Sequence, residues 1–300
     1  QLPLLSIMIW LPIVAAVIVL CTGGDKNANW ARAIAVVATL LNLAISIPLC
    51  LHFDTNSAQM QFTEMHLWIH AYQIRYALGV DGISLLMVVL TNFTGLLVVI
   101  AGCHAIKLRV AQYMAMFLVL QSMIIGVFCA MDAILFYVFW EGMLIPMYLS
   151  IGMWGSANRY YASIKFFLFT FLGSVLMLVA LLYLYQQTGS FLIQDFYGLP
   201  LDRTTQIWLF VAFLIGFAVK IPMFPIHTWL PDAHTEAPAG GSVVLAALML
   251  KLGVYGFLRF SMPIVPQACY ELSGMMVVLS LIAIVYIGLI AIVQTDMKKL

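Results

Sequence analysis

Long stretches of this chain contain no charged residue: Gly82 to Ile106, Val110 to Met131, Phe166 to Gln194 and Leu272 to Thr295. Nothing constrains the fold more. A helix needs about 20 mostly apolar residues to cross the hydrocarbon core of a bilayer, and each of these runs is long enough. Composition agrees. Hydrophobic residues make up 64% of the sequence, charged residues only 8%, and mean hydropathy is +1.07. A water-soluble domain is near half apolar and a quarter charged, so this chain has too few charges to build a surface facing water.

Nine spans are expected: Leu4–Cys21, Ala33–Leu51, Gly82–Cys103, Met114–Ala130, Ile134–Met153, Ile164–Tyr185, Ile207–Phe224, Gly241–Phe260 and Met275–Val293. The first begins beside Gln1 with no basic leader or small-residue cleavage site, and is expected to be a retained span. The lack of an initiator Met points to a start slightly inside the gene product. Lys26, Arg32, Lys107, Arg109, Arg159, Lys165, Lys298 and Lys299 fall at one set of helix ends, and only Arg75, Arg203 and Arg259 at the other. This asymmetry places the Lys298–Lys299 tail on the cytoplasmic (or matrix, or stromal) side and the N-terminus opposite. The connection 52–81 alternates polar and aromatic residues around Phe62-Thr63-Glu64-Met65-His66-Leu67-Trp68, which reads as an extramembrane hairpin. His66 and His70 have helical metal-ligand spacing, but the strand-like context and the lack of a third ligand argue against a metal site.

The formal net charge of +1 gives no reason to expect nucleic acid or an acidic substrate. Cys21, Cys50, Cys103, Cys129 and Cys269 are scattered and read as small core hydrophobes; the 18 methionines read as adaptable packing residues. The sequence has no dinucleotide fingerprint, no phosphate-binding loop and no spacing that fits haem, zinc or an iron–sulfur cluster.

Chemistry is expected where charge enters the spans: at Glu141, Lys220 and Lys251. Glu141 is too short to reach the interface from within the fifth span, and Pro146 frees the Gly142 carbonyl beside it. Lys220 precedes Pro222 and Pro225, which withdraw the helical donors of the Ala218 and Ile221 carbonyls and push Ile221 and Phe224 from helical angles. The seventh span should therefore break beside the lysine, as helices do where they are buried or line water. A lysine at the bilayer centre costs about 2.5–3.5 kcal/mol to insert, so Lys220 and Lys251 each imply a buried partner or water. Burial is also the usual means of bringing lysine proton exchange toward neutral pH. Glu141 and Lys220 are expected to act as an exchangeable ion pair, each offsetting the cost of the other. The segment Pro225 to Pro238 holds His227, Asp232, His234 and Glu236. Two readings stand for it: proton exchange with water, or an ordered loop whose polar groups satisfy one another. Trp154, Tyr160 and Tyr161 read as an interfacial belt.

Several strings together resemble the antiporter-like membrane subunits of respiratory complex I, in their subunit M or chain 4 form. They are Trp140-Glu141-Gly142-Met143-Leu144-Ile145-Pro146-Met147-Tyr148, Lys220-Ile221-Pro222, His227-Thr228-Trp229-Leu230-Pro231-Asp232-Ala233-His234, Glu236-Ala237-Pro238, Leu250-Lys251 and Gln294-Thr295-Asp296-Met297-Lys298-Lys299-Leu300. The resemblance runs from about Gly82 onward. It implies an all-α, polytopic transmembrane bundle, antiporter-like, with inverted five-helix repeats and a broken seventh helix. It also implies three regions. Residues 1–110 carry three helices and the hairpin, 111–260 the first five-helix repeat, and 261–300 the first helix of a second repeat. The implied function is proton translocation driven by NADH–quinone oxidoreduction, with Glu141, Lys220 and Lys251 on one proton pathway. No cofactor is implied in this chain; flavin and iron–sulfur clusters belong to partner subunits, among which neighbouring antiporter-like subunits are expected. The sequence stops near the start of the second repeat, before the family's later broken helix and terminal exit residue. A subunit of a multi-subunit cation/proton antiporter, or of a membrane-bound hydrogenase, is the competing reading. The absence of an Arg- and Ser-rich transit segment favours a bacterial inner membrane.

Overall fold

The computed structural model describes residues 2–295 and 298; Asp296, Met297, Lys299 and Leu300 of the C-terminal motif lie outside the described residues. Among the described residues, eight helices are long and apolar enough to cross a membrane. A ninth apolar helix, α1 (Leu4–Leu20), has 17 residues. The nine correspond in order to the nine expected spans, so this is a multi-spanning helical membrane protein. The chain divides into two compact units, 1–150 and 151–300.

The first unit contains α1, α2 (Ala28–Leu51), the strands β1 (Gln61–Ile69) and β2 (Ile74–Val80), α3 (Gly82–Ala105), α4 (Val110–Cys129) and α5 (Ala133–Gly142). Helix α4 is central, packing against α1, α2, α3 and α5. The hairpin forms as its alternation predicts: β1 and β2 pair antiparallel, Glu64 opposite Leu78 and Leu67 opposite Arg75, around a turn with Gln73 at φ 54°. His66 sits in β1 and His70 in the turn, so the two do not share a helix face.

Charge is scarce, and much of it starts helices. Glu64 reaches from β1 to accept the backbone N–H of Leu5 at 2.9 Å and that of Ser6 at 3.2 Å, at the beginning of α1. Asp81 forms a reciprocal capping box with Ser84 on α3. Asp25 accepts from Arg109 and Val110 at the head of α4. Asp132 caps α5 through Ile134 and Leu135, and also takes the Arg75 N–H of β2 at 3.0 Å. The first amides of a helix have no intrahelical partner, and a carboxylate both satisfies them and matches the positive end of the helix dipole. Burial raises the Asp132 pKa above the ordinary carboxylate value, against the lowering by its three backbone donors.

The second unit contains α7 (Arg159–Thr188), α8 (Arg203–Lys220), α9 (Trp229–Glu236), the 26-residue helix Ala239–Ile264 and the helix Ser273–Ile292. Between α5 and α7, α6 (Leu144–Trp154) completes the fifth span. Helix α7 begins five residues before the expected span, so Arg159 and Lys165 are helical rather than in a connection. Arg259 likewise lies within the Ala239–Ile264 helix, its guanidinium over the Tyr255 ring. The cysteines do not all behave as core residues. Cys129 is buried, Cys103 and Cys269 are half-buried, and Cys21 and Cys50 are exposed, at or next to helix ends where packing partners run out.

Candidate functional site

Glu141 is one residue from the end of α5. The fifth span is interrupted at Met143 and resumes as α6, where Pro146 stands in the first turn and offers no N–H to Gly142. The next bond is stretched, with Met147 N–H to the Met143 carbonyl at 3.4 Å. At 1.5 Å per residue, Glu141 lies roughly 12 Å along the span from Ala133. Its side chain is half-buried with Oε1 fully enclosed, next to the wholly buried Trp140. Gly142 lets the Met123 sulfur of α4 approach closely; a methyl there would be 2.9 Å from it.

Lys220 is the last residue of α8 and is 2% exposed. The helix stops at the lysine, four residues short of the expected end of the seventh span, and becomes helical again only at Trp229. Two details differ from expectation. Ile221 keeps right-handed helical angles (φ −67°, ψ −15°), because as the terminal residue it still donates to the Phe217 carbonyl at 2.9 Å. The Ala218 carbonyl is not stranded: the Met223 N–H, one residue beyond the usual donor, reaches it at 2.9 Å. The Trp229 indole N–H reaches the Val219 carbonyl at 2.9 Å. The break is therefore a built corner, with a lysine at the negative end of a helix dipole.

Lys251 is less buried than expected. It lies on an exposed side of the Ala239–Ile264 helix, between wider π turns at Leu245–Met249 and Phe257–Ser261. Its ammonium donates to the Ala246 carbonyl in the first of these. Periodicity does not reveal these π turns, because a span apolar on nearly every side has no polar face whose phase shift would mark the added residue. Two residues on, Gly253 lies flat against the corner of α8. A methyl there would stand 2.7 Å from the Phe217 carbonyl and 3.1 Å from the Ile221 nitrogen. These are backbone atoms that cannot swing aside. Gly253→Ala is therefore expected to lower stability by about 1–3 kcal/mol, measured as loss of thermal stability in detergent; an unchanged melting temperature would show that the corner yields.

The segment between the lysines is mostly an ordered structure that satisfies itself. Asp232 pairs with Lys165 at 2.7 Å. Glu236 accepts the Asn158 N–H at 2.9 Å, which holds the residue that precedes α7. Burial, and then the Lys298 charge, lowers the His234 pKa below its ordinary 6.5, which keeps the ring neutral at pH 7. His227 packs its ring against Phe224 and Tyr286. Glu141 belongs to the first compact unit, and Lys220 and Lys251 to the second.

Residues 130–300 match the family model described as NADH:quinone oxidoreductase/Mrp antiporter, TM. The NADH-quinone oxidoreductase subunit M of Rhodobacter capsulatus is 47% identical across 99% of this chain and 60% of its own length. The NADH-ubiquinone oxidoreductase chain 4 of Marchantia polymorpha is 40% identical with the same coverage, 99% and 60%. This chain thus spans about 60% of the length of these relatives. A subunit of respiratory complex I from Thermus thermophilus superposes over 98% of this chain and 60% of its own, at 28% identity and a TM-score of 0.86. A chain of the Mrp complex from Dietzia, 20% identical with a TM-score of 0.73 over 88% of this chain and 29% of its own, shares the fold. By the family match and these likenesses, the chain belongs to the NADH:quinone oxidoreductase/Mrp antiporter transmembrane family.

Proposed function

We propose that this chain forms the proton-translocating part of a subunit M-type component of NADH–quinone oxidoreductase, in a bacterial inner membrane. The observation that carries the reading is Lys220: a lysine 2% exposed, at the broken end of a span. A buried charge on an interrupted helix is costly and is the local arrangement used where ions pass through a membrane protein. Glu141, Lys220 and Lys251 are the proton-carrying residues. Residues 111–260 are the first antiporter-like repeat and 261 onward the start of the second. Flavin and iron–sulfur centres reside in partner subunits, this chain contacts neighbouring antiporter-like subunits, and the Lys298–Lys299 end faces the cytoplasm.

The test is purification of the tagged, full-length protein from its native membrane. NADH-oxidising subunits with flavin and iron–sulfur absorbance are expected to come with it. Small antiporter subunits in their place, or a nickel-containing subunit, would overturn the assignment in favour of a cation/proton antiporter or a hydrogenase.

A further inference from the structure

The hairpin does not stand clear of the helices. One edge of β2 carries β1; the other pairs with the short extended segment between α4 and α5, where Leu78 bridges Ala130 antiparallel. The Met131 N–H donates to the Ala77 carbonyl at 2.8 Å, and the Arg75 N–H donates to Asp132 Oδ2 at 3.0 Å. Ala77, Leu78, Ala130, Met131 and Asp132 are all buried, none more than 4% exposed. Gly79 lets the contact close, since a methyl there would stand 2.5 Å from the Met131 sulfur.

Asp132 is where this sheet edge meets a helix. Its Oδ1 accepts the Ile134 and Leu135 amides of α5 at 2.9 and 3.1 Å, while Oδ2 accepts from Arg75 of β2. Serine, threonine or asparagine would cap α5 without the cost of burying a carboxylate. Among capping residues, only aspartate supplies a second acceptor on its far side, and that acceptor ties the helix to the sheet.

Helix α5 has ten residues, with Glu141 next to last. That end runs into the interruption at Met143, where the next bond is stretched to 3.4 Å. The head of α5 is therefore where its height is set. Glu141 lies roughly 13 Å from Asp132 along a rod that rises 1.5 Å per residue, so a shift of the head is carried to the carboxylate. We propose that Asp132 is a positioning residue for Glu141, fixing the depth of that carboxylate in the membrane by clamping α5 to β2. This rests on the reading of Glu141 as a proton carrier. Depth matters to such a group because a proton passes only across about 2.6–3.2 Å, or through one water.

The test is Asp132→Asn in the intact complex. Asparagine keeps an oxygen for Ile134 and Leu135 but turns its NH2 toward the Arg75 N–H, so α5 stays capped while the tie to β2 is lost. Pumping per assembled complex should fall about tenfold, a fraction of the roughly hundredfold that 1 Å of misplacement costs. A density map of the variant should show Glu141 displaced along α5. Arg75→Pro cuts the same tie from the other side and leaves Asp132 in place, so it decides the matter if Asp132→Asn does not assemble. It should pump about tenfold more slowly than Arg75→Ala, which keeps the N–H. Ser84→Ala weakens the capping box of α3, a helix with no proton-carrying residue, and should lower only the amount of complex. An equal loss of pumping there would overturn the proposal, as would an unmoved Glu141. Full pumping without the tie, while Glu141→Gln is impaired, overturns the proposal alone. Full pumping by Glu141→Gln overturns the role of Glu141 and this proposal with it.

Discussion

Membranes carrying Glu141→Gln are expected to contain the assembled complex and to pump protons at least about a hundredfold more slowly, the lower end of what a positioned proton-transfer group contributes. Glutamine preserves the volume and most hydrogen bonding of the side chain and removes only its charge and its exchangeable proton. The side chain is half-buried at an interrupted span, so this substitution leaves the packing around Trp140 and Met123 in place. A purely structural carboxylate predicts something else. Neutralising one member of a buried ion pair strands the other at a cost of about 3–5 kcal/mol, and the complex should then fall apart rather than idle. Proton uptake by vesicles, measured beside the amount of intact complex, separates the two. Adding Lys220→Ala to Glu141→Gln tests whether the charges act on one another: if they do, the second change adds little to the first. Full pumping by assembled Glu141→Gln would end the proposal.

The second large effect is expected at Lys251. The Lys251→Ala change removes an ammonium that is exposed on this chain and bonded locally to the Ala246 carbonyl. Little packing is lost, and substitutions of exposed side chains usually fall within about 0.5 kcal/mol. Assembly should therefore be nearly normal. Proton translocation should drop by about a hundredfold or more, because a mid-span lysine is too costly to insert without a transport role. The π turns on either side support this, since such wide turns recur at functional positions in helices. Normal translocation per NADH oxidised, in a variant present at normal levels, removes Lys251 from the path.

The two lysines show how far the sequence can be read. Hydropathy locates the spans because a charge-free run of 20 residues has few other uses. Prolines locate the corner after Lys220, because a missing N–H is a covalent fact. What the corner does with its carbonyls is not covalent: Met223 and Trp229 come to them through tertiary packing. The position of Lys251 beside a π turn is hidden for the same reason.

Carboxylates were harder still. Glu64 and Glu236 reach amides 58 to 78 residues away, at the start of α1 and just before α7, so local capping patterns find Asp81-Gly82-Ile83-Ser84 and Asp132 and miss these two. A search for charge passes over Asn42, Asn92 and Gln121, which are buried at mid-span and hydrogen-bonded to one another, whereas counting uncharged amides inside apolar runs finds all three.

The bond from Glu64 to the head of α1 also has a bearing on how the protein is made. Helix α1 is made before β1, and the carboxylate that satisfies its Leu5 and Ser6 amides is synthesised 59 and 58 residues later. Until β1 has been delivered to the side of the bilayer where α1 begins, those two amides depend on water or lipid headgroups. Biogenesis is thus tied to a single crossing event: the second helix must pass through before the first is finished. A ribosome-bound intermediate that ends before Glu64 should hold an α1 whose first turn exchanges its amide protons freely, and one that ends beyond the hairpin should protect them.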